Sequence, residues 1–524
     1  LTVVRLSRHD APRASRSLSM SGVVDAFAAW LTSHGASFDA VELRDATADD
    51  AARRSAANDA DDDDDVCHDG WQRGRGVFAR ADFKKGDVVA SVPYAACIGT
   101  AGLRSVVGSG KPPPFDGATP AECLAWQLFQ IVGDERWAPY VDALPATIDA
   151  PCSGCWDHGE IAELQIGDAI ASVAVALGKD LKSARRVVVI VEGDDCDDDE
   201  KKKKTHERWL WALSCVRSRA IGLTPDGGGA KQVMLVPLVD MLNHAHEDAS
   251  VAWSSAIDDD DVDADESKSK SKTKTKTKTK TKTKTDATEP PPAGGRVTLV
   301  ARRDIAAGEE LLITYSEKSP TDPFTLRMGF VGGHNPHDSV QIFVNLPHAA
   351  GWYADTFKSE GGEDLVDRAV AMHVAEQIEA SIRTFAPEES APRLGYGGQC
   401  SEYLVTMFER FNKEVAPEED PHALAAHAVR LRCEELLLSY PTNLAEDMEL
   451  LDAPEGSSSR RFKLAVEFRL RKKAILQHML MAAEDVAEEE AALAAAAKAE
   501  NGAGGGKGRG REKEKEKKKG EGER

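Results

Sequence analysis

Three short stretches of this 524-residue chain hold side chains that could do chemistry. One runs Leu235-Val-Pro-Leu-Val-Asp-Met-Leu-Asn243-His244, an apolar strand pattern that ends in an amide and an imidazole. The second, Glu310-Leu-Leu-Ile-Thr-Tyr315, ends in a phenol, and the third is Met328-Gly-Phe-Val331. A tyrosine hydroxyl at a strand end can orient an incoming lone pair and stabilise charge that develops during a transfer, which is positioning and electrostatics rather than covalent chemistry. Taken alone, an Asn-His pair is a turn and a strand-end tyrosine is structural. The apolar strand before Asn243 and the tyrosine downstream make a shared site the better reading. Cys152-x-x-Cys155 is the one close cysteine pair in the chain, and neither a second such pair nor a nearby pair of histidines completes the four ligands a zinc site needs, so no metal is expected.

The length suits two or three cores. A formal charge of −22 argues against a nucleic-acid grip over the whole surface, because phosphate binding needs clustered Lys and Arg. Much of that excess sits in acidic runs, Asp61 to Asp65, Asp194 to Glu200 and Asp258 to Glu266, which read as solvated loops. Nine cysteines without regular pairing suggest free thiols in a reducing compartment. No apolar run approaches the ~20 residues that span a bilayer, so no membrane association is expected. Residues 1–20 carry Arg5, Arg8, Arg13 and Arg16 among serines, with Asp10 the only acid; they read as a transit peptide or an upstream fragment, with Met20 an equal candidate for the start. Location therefore stays open between chloroplast and cytoplasm or nucleus.

The elements that must position these side chains can be read from periodicity. Val23, Phe27, Trp30 and Leu31 lie on one helix face, and residues 75–80 and 87–93 read as strands around a Lys84-Lys85-Gly86 turn. Helical spacing returns over 119–132, 160–177 and 207–220, as an insert between halves of a β-rich core. Strands resume over 232–239, 296–302 and 310–315. Between them, residues 267–285 alternate Lys with Ser or Thr and offer no apolar partner on either face, so a disordered insertion is expected there. Beyond Leu346 the pattern is helical over 365–385, 399–414, 421–439 and 457–498, and the Gly/Lys/Glu-rich end is expected to be disordered.

Four motifs in order carry a family resemblance: Gly74-Arg-Gly-Val-Phe-Ala79, Trp137-Ala-Pro-Tyr-Val-Asp-Ala-Leu-Pro145, Trp209-Leu-Trp-Ala-Leu-Ser-Cys-Val-Arg-Ser-Arg219 and Asp240-Met-Leu-Asn-His244. Together they resemble the SET-domain protein methyltransferases of the Rubisco large-subunit lysine methyltransferase and actin-histidine methyltransferase group, over roughly residues 21–495. The resemblance implies an α+β fold: a β-rich SET core over 21–335 with a helical insert at about 96–222 and a disordered insertion at about 256–293. An all-helical C-terminal substrate-binding domain over 345–495 and a charged tail over 496–524 would follow.

The activity implied is transfer of a methyl group from S-adenosyl-L-methionine to a side-chain nitrogen of a non-histone protein, with lysine the first expectation. Such a transfer is an in-line displacement, so alignment dominates, and a lysine nucleophile must first become neutral. In the family, the segment matching Arg73, Gly74 and Arg75 lies against the cofactor, where glycine permits close backbone approach. Arg73 departs from the commoner acidic residue. Asn243 and His244 match the pair that holds the cofactor, and Arg219 matches a residue that reaches both cofactor and substrate. Gly329 and Phe330 complete the cofactor set. Ser218, Asp240 and Trp253 fall on the substrate side, and Tyr315 is the expected catalytic residue.

Met328 is the departure that matters most. Lysine-directed members place a second tyrosine immediately before the Gly-Phe pair, and methionine offers only a flexible apolar body with a weak acceptor sulfur. Ser319-Pro-Thr-Asp-Pro-Phe324 likewise replaces the family's usual Ser-Asn segment. Two alternatives therefore stand beside the lysine reading: a protein-histidine methyltransferase, and a retired scaffold that binds a partner without transferring methyl. The protein substrate is expected to dock on the helical C-terminal domain of a monomer, and nucleic acid is not an expected partner. Arg460, Arg461, Arg469, Arg471, Lys472 and Lys473 form a basic cluster that could steer an acidic partner or simply face solvent.

Overall fold

The computed structural model describes residues 20–45, 74–99, 116–223, 232–254, 295–358, 362, 365–385, 391–454 and 456–481. Arg73, the first twenty residues apart from Met20, the Lys-Ser/Thr alternation, the acidic runs at 61–65 and 258–266, and the charged tail lie outside them. The chain divides into two units, one formed by residues up to 336 with 455–468, the other by residues 337–454 with those from 469 onward.

The first unit is built from small sheets. Strand β1 (Val41–Asp45) pairs antiparallel with β2 (Arg75–Ala79), placing Leu43 opposite Val77. Strands β3 (Val88–Pro93), β8 (Val251–Ser254) and β9 (Arg296–Ala301) form a sheet in the order β3-β9-β8, with Ser254 opposite Thr298 and Val251 opposite Ala301. The Lys84-Lys85-Gly86 turn joins β2 to β3, but the two strands pair with β1 and β9 rather than with each other; Gly86 takes the left-handed conformation, φ 93°, that the turn requires. A third sheet holds β4 (Ile98–Gly99), β5 (Ile221–Leu223) and β6 (Gln232–Leu235) in the order β4-β6-β5. Strand β7 (Asn243–His244) runs parallel to β10 (Leu312–Ile313). The strand expected over 232–239 stops at Leu235, because Leu238 turns to φ 75° and a 3₁₀ turn covers Val239–Met241.

Helix α1 (Met20–Ser33) buries Phe27, Trp30 and Leu31, and the Trp30 ring packs against Trp137 and Tyr140 at 5.4 and 6.1 Å. The helical insert supplies α2 (Pro120–Ile131), α3 (Ala138–Ala143), α4 (His158–Ala162), α5 (Gly167–Glu192) and α6 (Asp199–Arg219). Thr119 and Glu122 close a capping box on α2. The helix expected over 160–177 is two helices, because the chain leaves α4 at Glu163 and Gln165 adopts φ 55° before α5 begins. The acidic run at 194–200 is not simply loop: the Asp198 side chain accepts from the Lys201 N–H, and Asp199 and Glu200 occupy the first turn of α6, where helix polarity favours negative charge.

The second unit is mostly helical, with α7 (Leu346–Thr356), α8 (Arg368–Phe385), α9 (Glu402–Val415), α10 (Pro421–Ser439), α11 (Leu444–Asp452) and the 469–481 part of a last helix, α12, that begins at residue 460. One short antiparallel pairing, β11 (Ser339–Gln341) with β12 (Arg393–Gly395), accompanies them. Phe343, Leu346, Tyr353, Leu404, Phe408 and Phe411 fill its core.

The basic cluster is half hidden. Arg469, Lys472 and Lys473 are at most 1% exposed, which excludes them from any surface that steers a partner. Arg469 and Lys473 both meet Asp447, at 2.8 and 2.6 Å, and Lys472 meets Asp338 at 2.6 Å. Burial lowers the Lys473 ammonium pKa even though Asp447 pulls it the other way. Thr442 also donates to Asp447 at 2.7 Å, so the carboxylate is met by cations and a hydroxyl at once.

Candidate active site

Asn243 and His244 lie beside Leu312 and Ile313 in a parallel pairing that brings Tyr315 across from the imidazole. The Tyr315 N–H donates to His244 Nδ1 at 3.1 Å. His244 Nδ1 also lies 3.3 Å from the Ile313 carbonyl, and its Nε2 lies 3.1 Å from His246 Nδ1. The Tyr315 hydroxyl donates to the Leu242 carbonyl at 2.6 Å. His244 is sandwiched between two rings, Phe324 at 4.7 Å and Tyr315 at 5.0 Å, and Phe330 meets Tyr315 edge-on at 6.2 Å. The phenol is thus fixed at its backbone, its ring and its oxygen.

Asn243 is held from the other side. Its Nδ2 donates to Glu310 Oε1 at 2.7 Å and to the Arg75 carbonyl at 3.3 Å. Glu310 is buried and bridges to Phe78 of β2. A Cβ at Gly76 would come within 2.5 Å of Glu310 Oε1 and 3.1 Å of Asn243 Nδ2, so any side chain there must displace that pair. At Gly74 a Cβ would meet no atom of the described residues within 4 Å. The glycine that this strand's packing favours is therefore Gly76, and together with Glu310, His246 and Phe324 it was missed from sequence. Glu310 carried a usable signal, a lone carboxylate at the head of an apolar strand.

Arg219 closes α6 and donates to the Asp240 main-chain carbonyl and to Met241 Sδ. Arg75 donates to the Ala143 carbonyl at 3.1 Å, and burial, then the nearby Arg219 cation, lowers its pKa. Asp240 is buried beneath, accepting from the Tyr140 hydroxyl at 2.6 Å. Burial pushes its carboxyl up to about 6, against the pull of Arg219 and the Tyr140 hydrogen bond. Arg219 Nε and Asp240 Oδ1 are buried with no hydrogen-bond partner among the described residues. The Ser218 hydroxyl turns back to the Cys215 carbonyl of its own helix, and Trp253 sits in β8 opposite Leu299.

The third stretch forms a π-helical turn, Phe324–Met328, reached through a short helical turn at Thr321–Pro323. Its wider loop is closed by the Gly329 N–H, which bonds back to the Phe324 carbonyl at 2.9 Å. Gly329 adopts φ 81°, and a Cβ there would lie 2.3 Å from the Asp149 carbonyl oxygen. Met328 is half-buried at the end of this turn, and Phe330 stacks near Phe324 at 5.6 Å.

Among the described residues no group of three or more His, Cys, Asp or Glu could hold a metal ion, and no helix is long and apolar enough to cross a membrane. The donor set instead suits a polar organic ligand: two guanidinium groups, Arg75 and Arg219, for a carboxylate, and backbone beside Gly74 that no side chain of the described residues covers.

The SET domain family matches residues 74–316, so the chain carries a SET domain over that span. It joins that domain to a second one described as Rubisco LSMT substrate-binding, which matches residues 404–476. The actin-histidine N-methyltransferases of Canis lupus familiaris and Homo sapiens are each 24% identical to it over 358 residues, 66% of this chain and 53% and 52% of theirs. The chain thus spans about half the length of these relatives. Among solved structures, the SET domain of LSMT bound to lysine and AdoHcy superposes with a TM-score of 0.57 at 16% identity, covering 90% of this chain and 93% of that one. Rubisco LSMT bound to AdoMet gives 0.54 at 16% identity, over 89% and 92%. At such identity the likeness establishes the fold: a β-rich SET core followed by a helical region.

Proposed function

We propose that the protein is an S-adenosyl-L-methionine-dependent methyltransferase whose acceptor is a side-chain nitrogen of a protein. The observation that carries this reading is the Tyr315 phenol, fixed at three points beside Asn243 and His244. When bound, the cofactor supplies an electrophilic methyl on a cationic sulfur. Arg75 and Arg219 would hold its carboxylate, with Asn243, the His244 main chain and the backbone at Gly74 completing the cradle; Arg73, Gly329 and Phe330 remain proposed contacts. Tyr315 orients the acceptor lone pair and stabilises the methyl as charge spreads during transfer. Phe324 and Phe330 lie against His244 and Tyr315, and an acceptor held against such apolar surface would be disfavoured as an ammonium and favoured as a neutral amine.

Lysine is the first acceptor this chemistry accommodates, and the solved LSMT structures carry lysine or methyllysine beside the cofactor product. Two observations favour histidine as a second reading. Met328 brings no hydroxyl to the acceptor side, and the curated relatives are actin-histidine N-methyltransferases. An imidazole needs less help than an amine, because it is largely neutral near pH 7. The helices of the second unit are proposed to dock the protein substrate, with Asp240, Ser218 and Trp253 on its side of the site.

The test is transfer of labelled methyl from S-adenosylmethionine into protein extract by wild type and Tyr315→Phe, followed by mass spectrometry of the labelled residue. Label that depends on Tyr315 supports the enzyme and names the acceptor. Cofactor binding without any transfer would leave a SET scaffold that binds a partner.

A further inference from the structure

Arg461 lies 145 residues beyond the end of the SET match, inside the span matched by the substrate-binding family, yet it belongs to the first unit. Its side chain, 15% exposed, grips one segment at three points. Nε donates to Asp149 Oδ1 at 2.6 Å, and one terminal nitrogen donates to the Cys155 carbonyl at 2.7 Å and to Glu160 Oε2 at 2.9 Å. The same Glu160 oxygen accepts from the Asp157 N–H in the capping box of α4, and Trp156 Nε1 donates to Asp149 Oδ1 at 3.2 Å. Arg461 thus fixes both ends of residues 149–160 through a planar, forked group that a lysine cannot imitate.

What that segment touches gives the clamp its meaning. The Asp149 carbonyl oxygen and Ala150 Cβ form the surface against Gly329, so closely that only glycine fits. Gly329 separates Met328, the last residue of the π-helical turn, from Phe330, whose ring meets Tyr315 edge-on at 6.2 Å. A chain of contacts therefore runs from Arg461 through Asp149 to Gly329, and on to its neighbours Met328 and Phe330, the latter against Tyr315. The cofactor-side groups, Asn243 with Glu310 and Arg219 with the Asp240 carbonyl, are anchored by other elements.

We propose that Arg461 is a positioning residue: by clamping residues 149–160 it presses Asp149–Ala150 against Gly329 and so sets Met328 and Phe330 relative to Tyr315. This rests on the methyltransferase reading for its consequence, but the mechanical relay can be tested without it. Arg461→Met keeps the aliphatic stem and removes the three hydrogen bonds. Hydrogen exchange on the full-length protein should quicken over residues 149–155 and also over 324–330, while 232–235 and 242–244 keep their wild-type rates. With acceptor protein, turnover should fall about tenfold to a hundredfold, the range set by sub-ångström to ångström misplacement of a reacting pair. Cofactor affinity, held mainly through Arg75, Arg219 and Asn243, should fall by much less than turnover, and Arg461→Lys should recover part of the rate through its charge.

Unchanged exchange at 324–330 in Arg461→Met overturns the relay whether or not the wild type transfers methyl. A wild type that transfers nothing, with the exchange pattern as expected, overturns the function and with it the role in positioning an acceptor. Should Arg461→Met fold poorly, Glu160→Gln weakens one arm of the same clamp; a rate loss matched by an equal loss of cofactor affinity there points to general loosening and also overturns the proposal.

Discussion

Two buried polar regions of this molecule are organised in opposite ways. In the second unit, Arg469 and Lys473 share Asp447, and Lys472 holds Asp338, so each cation is met by a carboxylate. Around Tyr315 in the first unit, Asp240 Oδ1 and Arg219 Nε are buried without a hydrogen-bond partner among the described residues, although Tyr140 and two backbone or sulfur acceptors stand beside them. Burying a polar group without a hydrogen bond costs free energy, so Asp240 and Arg219 carry a cost that the pairs at Asp447 and Asp338 avoid. The paired network fixes how helices α11 and α12 pack. The incompletely paired one leaves Asp240 Oδ1 and Arg219 Nε each able to take a further hydrogen bond.

Substitutions in the two regions should therefore separate stability from activity. The largest effect is expected at Asp447. Its change to Asn leaves Arg469 and Lys473 buried without their carboxylate and should lower stability by about 3–5 kcal/mol, read from the urea midpoint. Well below its melting temperature the variant should still transfer methyl. Tyr315→Phe should do the reverse: turnover falls by about 10² to 10³, the loss typical of removing one positioned donor, with the melting temperature within about a degree or two of wild type. An inactive Asp447→Asn that is still folded would break the comparison.

A smaller and more specific effect is expected from pH. Burial raises the Asp240 pKa to about 6, so between about pH 4 and 6 the folded protein keeps a proton that the unfolded chain has lost. Stability tied to Asp240 is therefore full below about pH 4 and declines as pH rises through about 6, opposite to an ordinary ion-paired carboxylate. Relative to Asp240→Asn, which cannot titrate, wild type should lose about 2–3 kcal/mol between about pH 4 and pH 7. A difference that does not change with pH would mean that the carboxyl is ionised throughout. The smallest effect is at Asn443, whose side chain caps α11 and so presents Asp447 to its cations; Asn443→Ala should cost about 1 kcal/mol without touching activity.

The parts of this architecture legible in sequence were those coded by neighbours in the chain. Asn243, His244 and Tyr315 end apolar strand patterns, and the structure brings them together across one parallel pairing. The SET core and helical region likewise follow from motif order. What periodicity could not show were partners distant in sequence. Tyr140 reaches Asp240 across 100 residues, and Gly76 is favoured only because Glu310 and Asn243 meet beside it. Basic residues in α12 looked like a solvated face, because composition counts charges and cannot see the carboxylates that turn inward to meet them. The acidic run before α6 misled in the same way: Asp198 is a cap, and only the start of a helix distinguishes a cap from loop sequence. The role of Trp253 stays a proposal, since its strand pairs it with Leu299.

Strands β8 and β9 bear on how this chain tolerates change. Their ladder sets Ser254 opposite Thr298, so the ends of the intervening segment are held together by pairing that does not depend on what lies between them. Closing a longer loop costs only about 0.6 kcal/mol for each doubling of its length. The junction at 254 and 295 is therefore where a foreign domain could be spliced in, or the chain reopened with new termini, while Asn243 and Tyr315 keep their registry on either side.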